Sequence, residues 1–121
     1  MATRLKINRG TTYSRTVTYQ SNGVTTPITG ATVYFTVKPT EYDAITTDTT
    51  AVVSKTLSNL SDSNAAAGIA VITLLPADTA TIDPSIDYYY DIKIKLASGA
   101  VYKLDEGNIT FDGSPTNRSG V

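Results

Sequence analysis

Apolar and polar residues alternate with a period of two along most of the chain, the spacing of strands that bury one face and wet the other. Between Thr11 and Gln20 the odd positions Tyr13, Val17 and Tyr19 alternate with Thr12, Ser14, Thr16 and Thr18. Between Ala31 and Lys38, Val33, Phe35 and Val37 alternate with Thr32, Tyr34, Thr36 and Lys38. The clearest strand runs from Asp87 to Ala97, with Tyr88, Tyr90, Ile92, Ile94 and Leu96 predicted inward and Tyr89, Asp91, Lys93 and Lys95 outward. Arg4 to Asn8, with Leu5 and Ile7 on one face, and Ala51 to Leu57 are shorter strands. Gly68 to Leu75 is dense enough in apolar residues to predict a strand buried on both faces in mid-sheet. Pro76-Ala77-Asp78-Thr79-Ala80 interrupts, and its leading proline and early acid predict one turn of helix.

The turns constrain register. Ser21-Asn22-Gly23 and Ser98-Gly99 are turn signals. At the second, a two-residue loop would set Ile94 opposite Lys103 and put a charge on the core face, so the hairpin is predicted to have an odd-membered loop. Beyond Gly107 the apolar parity moves to Ile109 and Phe111, which predicts an inserted bulge residue. About seven strands with regular turn signals predict an all-β fold, an immunoglobulin-like antiparallel β-sandwich over residues 1–112, with a small jelly roll as the alternative. The helical turn before Tyr88-Tyr89-Tyr90 offers Tyr88 or Tyr90 as a phenol that returns to the backbone upstream of the corner. Residues 39–50 form the longest predicted loop, and residues 113–121, with no apolar face, are expected to be a flexible C-terminal tail.

Composition narrows the function. The 121 residues make one domain and contain no Cys, His or Trp, which argues against disulfide scaffolds, Cys/His zinc sites and histidine-dependent nucleophiles. Only 17% of residues are charged, for a net of -1, so no basic face is large enough to bind nucleic acid by counterion release. No apolar run approaches the length of a membrane span, and Met1 to Lys6 has no apolar run behind it, so neither a membrane partner nor a secretory signal is expected. Hydroxyls replace charge: there are 21 Thr and 10 Ser, with 8 Tyr against 2 Phe.

Candidate chemistry is thin. Asp105-Glu106 with Asp91 or Asp87 is the nearest approach to a carboxylate cluster, but Lys93, Lys95 and Lys103 make ordinary cross-strand pairs the expected use of these acids. Asp43, Asp48, Asp62 and Asn64 could give oxygen ligands to calcium, though without the spacing of a calcium loop. No cofactor, metal or catalytic residue is expected. Arg15 interrupts the apolar face of its strand, either as a rim residue whose stem packs while its guanidinium reaches water or as a contact to a partner chain. Tyr34, Tyr42 and Tyr89 are outward or loop aromatics suited to a sugar face or a protein interface. Arg9 and Arg118 fall in two candidate contact segments, Arg4 to Arg9 and 113 to 121.

The order of motifs has a likeness as a whole. Ile7-Asn8-Arg9-Gly10-Thr11-Thr12-Tyr13, Ile28-Thr29-Gly30-Ala31-Thr32-Val33-Tyr34-Phe35-Thr36-Val37-Lys38, Gly68-Ile69-Ala70-Val71-Ile72-Thr73-Leu74, Asp78-Thr79-Ala80, Tyr89-Tyr90-Asp91-Ile92 and Gly107-Asn108-Ile109-Thr110-Phe111 resemble the immunoglobulin-like domain of tailed-bacteriophage baseplate upper proteins. The resemblance covers nearly all of residues 5–112 and rests on turn glycines and core positions. It implies a virion structural protein, made in the bacterial host cytoplasm and assembled in symmetric copies with other virion proteins on the tail, baseplate or capsid. In relatives such a domain commonly heads a longer tail or receptor-binding protein, whereas here the chain stops at Val121, which favours decoration or joining over a receptor-binding tip. The family pattern carries no residue with a chemical role. A glycan- or host-surface-binding adhesion module is the alternative expectation.

Overall fold

The computed structural model describes residues 3–39, 51–58, 60–61, 63–83 and 85–113. They are mostly β. The strands are β1 (Thr3–Asn8), β2 (Tyr13–Thr18), β3 (Gln20–Ser21), β4 (Val24–Thr25), β5 (Thr32–Lys38), β6 (Val53–Leu57), β7 (Ile69–Leu74), β8 (Tyr88–Lys95) and β9 (Val101–Asp112), with short helices α1 (Ser63–Ala66) and α2 (Pro76–Thr79). Five strands form a curled half-barrel sheet in the order β1-β9-β8-β5-β6, while β2-β7 and β3-β4 are two-stranded. The five-stranded sheet is mixed, because β1 runs parallel to β9, from Thr3 opposite Gly107 to Asn8 opposite Asp112. That corrects the expectation of a purely antiparallel fold: pairing between the two ends of the chain leaves no local sequence signal.

Alternation decides which faces meet. Val33, Phe35 and Val37 of β5, Tyr88, Tyr90, Ile92 and Ile94 of β8, and Ile109 and Phe111 of β9 are buried in one cluster. Val17 of β2 and Ala70, Ile72 and Leu74 of β7 join that cluster from the small sheet. β7 is therefore not buried on both faces as its composition predicted. Its other face is partly open, with Val71 39% exposed and Ile69 and Thr73 half-buried, and among the described residues only β2 pairs with it. A six-residue strand rich in Ile and Val is compatible with one wet face when the neighbouring positions are Thr and Ser; Thr73 and Ser14 hydroxyls meet there at 3.1 Å.

Two turns fix the registers around this core. Asn22 and Gly23 both have positive φ, 52° and 79°, the type I′ geometry that closes the β3-β4 hairpin with two residues. At the β8-β9 hairpin, Leu96 N–H donates to Ala100 C=O at 2.8 Å, leaving Ala97, Ser98 and Gly99 as an odd-membered loop with Gly99 at φ +96°. Ile94 accordingly faces Tyr102, and Lys93, not Ile94, faces Lys103. The bulge predicted beyond Gly107 exists, but earlier. Ile92 pairs with Asp105 and Lys93 with Lys103, so Leu104 is the extra residue, and Gly107 already lies on the shifted parity. Gly68 enters β7 at φ +80°, and a Cβ there would lie 2.6 Å from the Thr26 carbonyl oxygen, so both conformation and space require glycine.

Candidate interaction surface

The bulge at Leu104 turns Asp105 toward the interior. Without the extra residue the even positions of β9 would continue inward; with it, Asp105, Ile109 and Phe111 do. On the facing small sheet, Arg15 occupies the inward parity of β2, opposite Ile72. The two side chains meet in an ion pair, each with only about a fifth of its surface exposed (23% and 18%). The same Asp105 oxygen accepts the Tyr90 phenol at 2.9 Å, its other oxygen accepts the Glu106 N–H at 2.9 Å, and the guanidinium sits 5.8 Å from the Tyr90 ring centre. The Asp105 carboxylate is thus surrounded by donors, the arrangement a partly desolvated charge requires. Tyr90, considered above for a phenol bond upstream, here donates downstream to Asp105.

A second clasp gathers at α2. Pro76 opens the helical turn, and Asp78 accepts the Leu75 N–H at 2.6 Å and pairs with Lys55 of β6 at 3.0 Å. The backbone hydrogen bond from Leu75 is the main cause that holds the Asp78 carboxyl below the ordinary aspartate range; burial opposes it, and Lys55 adds to the lowering. Asp83 is lowered as well, by the hydroxyl and N–H of Ser85. The fully buried Thr79 hydroxyl accepts the Gly10 N–H at 2.8 Å, and the Arg9 guanidinium donates to the Ile82 carbonyl at 3.2 Å.

These contacts locate the sequence-derived residues. Arg9 and Arg15 are engaged inside the fold, and β1, within the candidate segment Arg4 to Arg9, is a paired strand. Tyr34 and Tyr89 share the outer face of the five-stranded sheet, on adjacent strands but in different rows: Tyr34 lies opposite Lys93, Thr36 opposite Asp91, and Lys38 opposite Tyr89. Across the next ladder Lys93 faces Lys103 and Asp91 faces Glu106. Like charges therefore meet across β8 and β9, where sequence had suggested opposite ones; Lys103 instead pairs along its own strand with Glu106 at 3.3 Å. Tyr34 is 36% exposed, and Tyr89 is half-buried. Tyr42, Arg118, Asp43, Asp48, Asp62 and the tail from 114 lie outside the described residues.

Among the described residues no group of acidic side chains is placed to hold a metal ion, and no helix is long and apolar enough to cross a membrane. A shallow dent of about 180 Å³ lies over Lys103, Leu104, Asp105 and Glu106 at the bulge. Sequence reasoning missed the Arg15–Asp105 contact. Its one signal was an arginine on an apolar strand face, and only the bulge turns Asp105 inward to meet it. No protein-family model and no curated protein sequence matches this chain.

Proposed function

We propose that this chain is a bacteriophage virion structural protein: an immunoglobulin-like assembly module of the tail, baseplate or capsid surface that acts through protein–protein contacts. The observation that carries the fold part of this reading is the strand order. Counting the long strands and leaving out β3 and β4, the second pairs with the fifth, the sixth lies between the third and the seventh, and the fourth flanks the third. An immunoglobulin sandwich shares those pairings, and β1 departs from it by joining β9 in the larger sheet. The virion part rests on the sequence resemblance over residues 5–112. It is supported by where the polar side chains go: Arg9, Arg15, Asp78 and Asp105 are spent on holding the fold together, which leaves faces and edges for partners.

Location in the particle tests this directly. Electron microscopy of the intact virion should place density for the domain in contact with other virion proteins, and the purified protein should co-elute with at least one of them. The second reading, a glycan-binding module, draws on Tyr34, exposed beside Lys93 on the outer sheet face. Protein that ignores every virion component, binds a glycan array and loses that binding on Tyr34→Ala or Tyr42→Ala would replace the structural reading with the adhesive one.

A further inference from the structure

Among the described residues four strand edges border the two main sheets, and they differ in one respect. β1 carries Lys6, β2 carries the inward Arg15, and β6 carries the inward Lys55. Charges on an edge, above all inward-pointing ones, discourage another strand from pairing there. β7, Ile-Ala-Val-Ile-Thr-Leu, carries none. Its backbone also faces outward in a usable pattern. Tyr19 N–H donates to Gly68 C=O at 2.8 Å, and the register onward to Tyr13 opposite Leu74 is uninterrupted. Hydrogen-bonded pairs alternate along an antiparallel ladder, so Ala70, Ile72 and Leu74 bond to β2, while the N–H and C=O groups of Ile69, Val71 and Thr73 point away from it. Among the described residues no strand pairs with β7 on that side, and β6 approaches β7 without a ladder between them.

We propose that β7 is the assembly edge, and that its occupant is β7 of a second copy, added antiparallel about a two-fold axis at Val71. An extended backbone row of unpaired donors and acceptors is matched by another strand, and this one matches itself. In that register Val71 faces Val71 of the second copy, Ile69 faces Thr73, and small Ala70 faces Ile72 on the apolar underside. β-Branched residues meet at every outward pair, and no charge is buried or opposed. The two small sheets would become one four-stranded sheet with the isologous symmetry of a closed dimer. The inference deepens the assembly reading and rests on it for its biological setting, whereas the pairing itself can be tested on the isolated protein.

Sedimentation of the full chain from about 10 μM to about 1 mM, the range a small interface demands, should show the mass doubling. Val71→Lys and Val71→Glu, both at a surface position and checked for folding by circular dichroism, should each stay monomeric, while their equimolar mixture should recover the dimer. Because the chain has no cysteine, Val71→Cys should give a reducible cross-linked dimer, and Thr16→Cys, one strand further from the axis, should not. A wild-type monomer at the top of the range, or Thr16→Cys cross-linking as readily as Val71→Cys, would overturn the proposal. A monomer that still binds a virion protein overturns this inference and leaves the assembly reading standing; a dimer that binds none upholds the pairing and removes its setting.

Discussion

The five-stranded and two-stranded sheets solve the same packing problem unequally. In the larger, β8 is flanked on both sides, and its inward Ile92 and Ile94 are fully buried, as are Phe35, Val37, Ile109 and Phe111 from its neighbours. The smaller brings Val17, Ala70, Ile72 and Leu74 to the core but spends one inward position on Arg15, and among the described residues each of its strands has one edge that no strand pairs with. A two-stranded sheet is marginal alone, so β2 and β7 take their stability from the facing sheet and from the Arg15–Asp105 clasp that crosses to it. What this teaches is a division of labour: one sheet is complete, and the other is finished only on the side that faces it.

Substitutions rank the two sheets. Ile92→Ala, in the middle of the complete sheet, should cost about 3–5 kcal/mol of unfolding free energy in denaturant titration, and Ile72→Ala, in the small sheet, about 2–4 kcal/mol, because a two-stranded sheet can collapse further around the site. Equal costs would break the comparison. Asp105→Ala should cost about 1–3 kcal/mol by leaving Arg15 and the Tyr90 phenol without their shared acceptor, and Arg15→Ala in the same background should add little, since both changes remove one contact. Full additivity of the pair would show that the clasp does not couple the sheets.

The smallest expected effect is at α2. Asp78 has its carboxyl lowered in the folded state, so its contribution is fully present above its unfolded value, about pH 3.9, and is lost as the pH falls through the lower folded value. Asp78→Asn should therefore lie below the wild type at neutral pH by less than about 1 kcal/mol and converge with it in acid. Divergence on acidification would reverse the sign and refute the assignment.

Sequence alone carried the strands, the inward parity of β5 and β8, the helical turn at Pro76 and the odd-membered loop at Gly99, because each follows from local periodicity or from a few turn residues. Pairing between distant segments was not legible: the parallel β1-β9 ladder joins residues about a chain length apart. The bulge was inferred from the parity of Ile109 and Phe111 but misplaced, since Leu104 keeps an apolar side chain at the extra position and hides the switch. That error concealed the partner of Arg15. β7 misled for the opposite reason, as its composition is that of a buried strand while its position is at an edge, and that mismatch is what the assembly-edge proposal rests on.

Hydrogen exchange resolved by residue, at low and high protein concentration, tests the division of labour most directly. In dilute solution the amides of Ala70 and Ile72, bonded to β2, should be protected and that of Val71 nearly unprotected, with those of Ile92 and Ile94 in the complete sheet the slowest of all. Raising the concentration should protect Val71 and leave Ile92 and Ile94 unchanged. Val71 unprotected at every concentration, or already protected in the dilute monomer, would contradict the account.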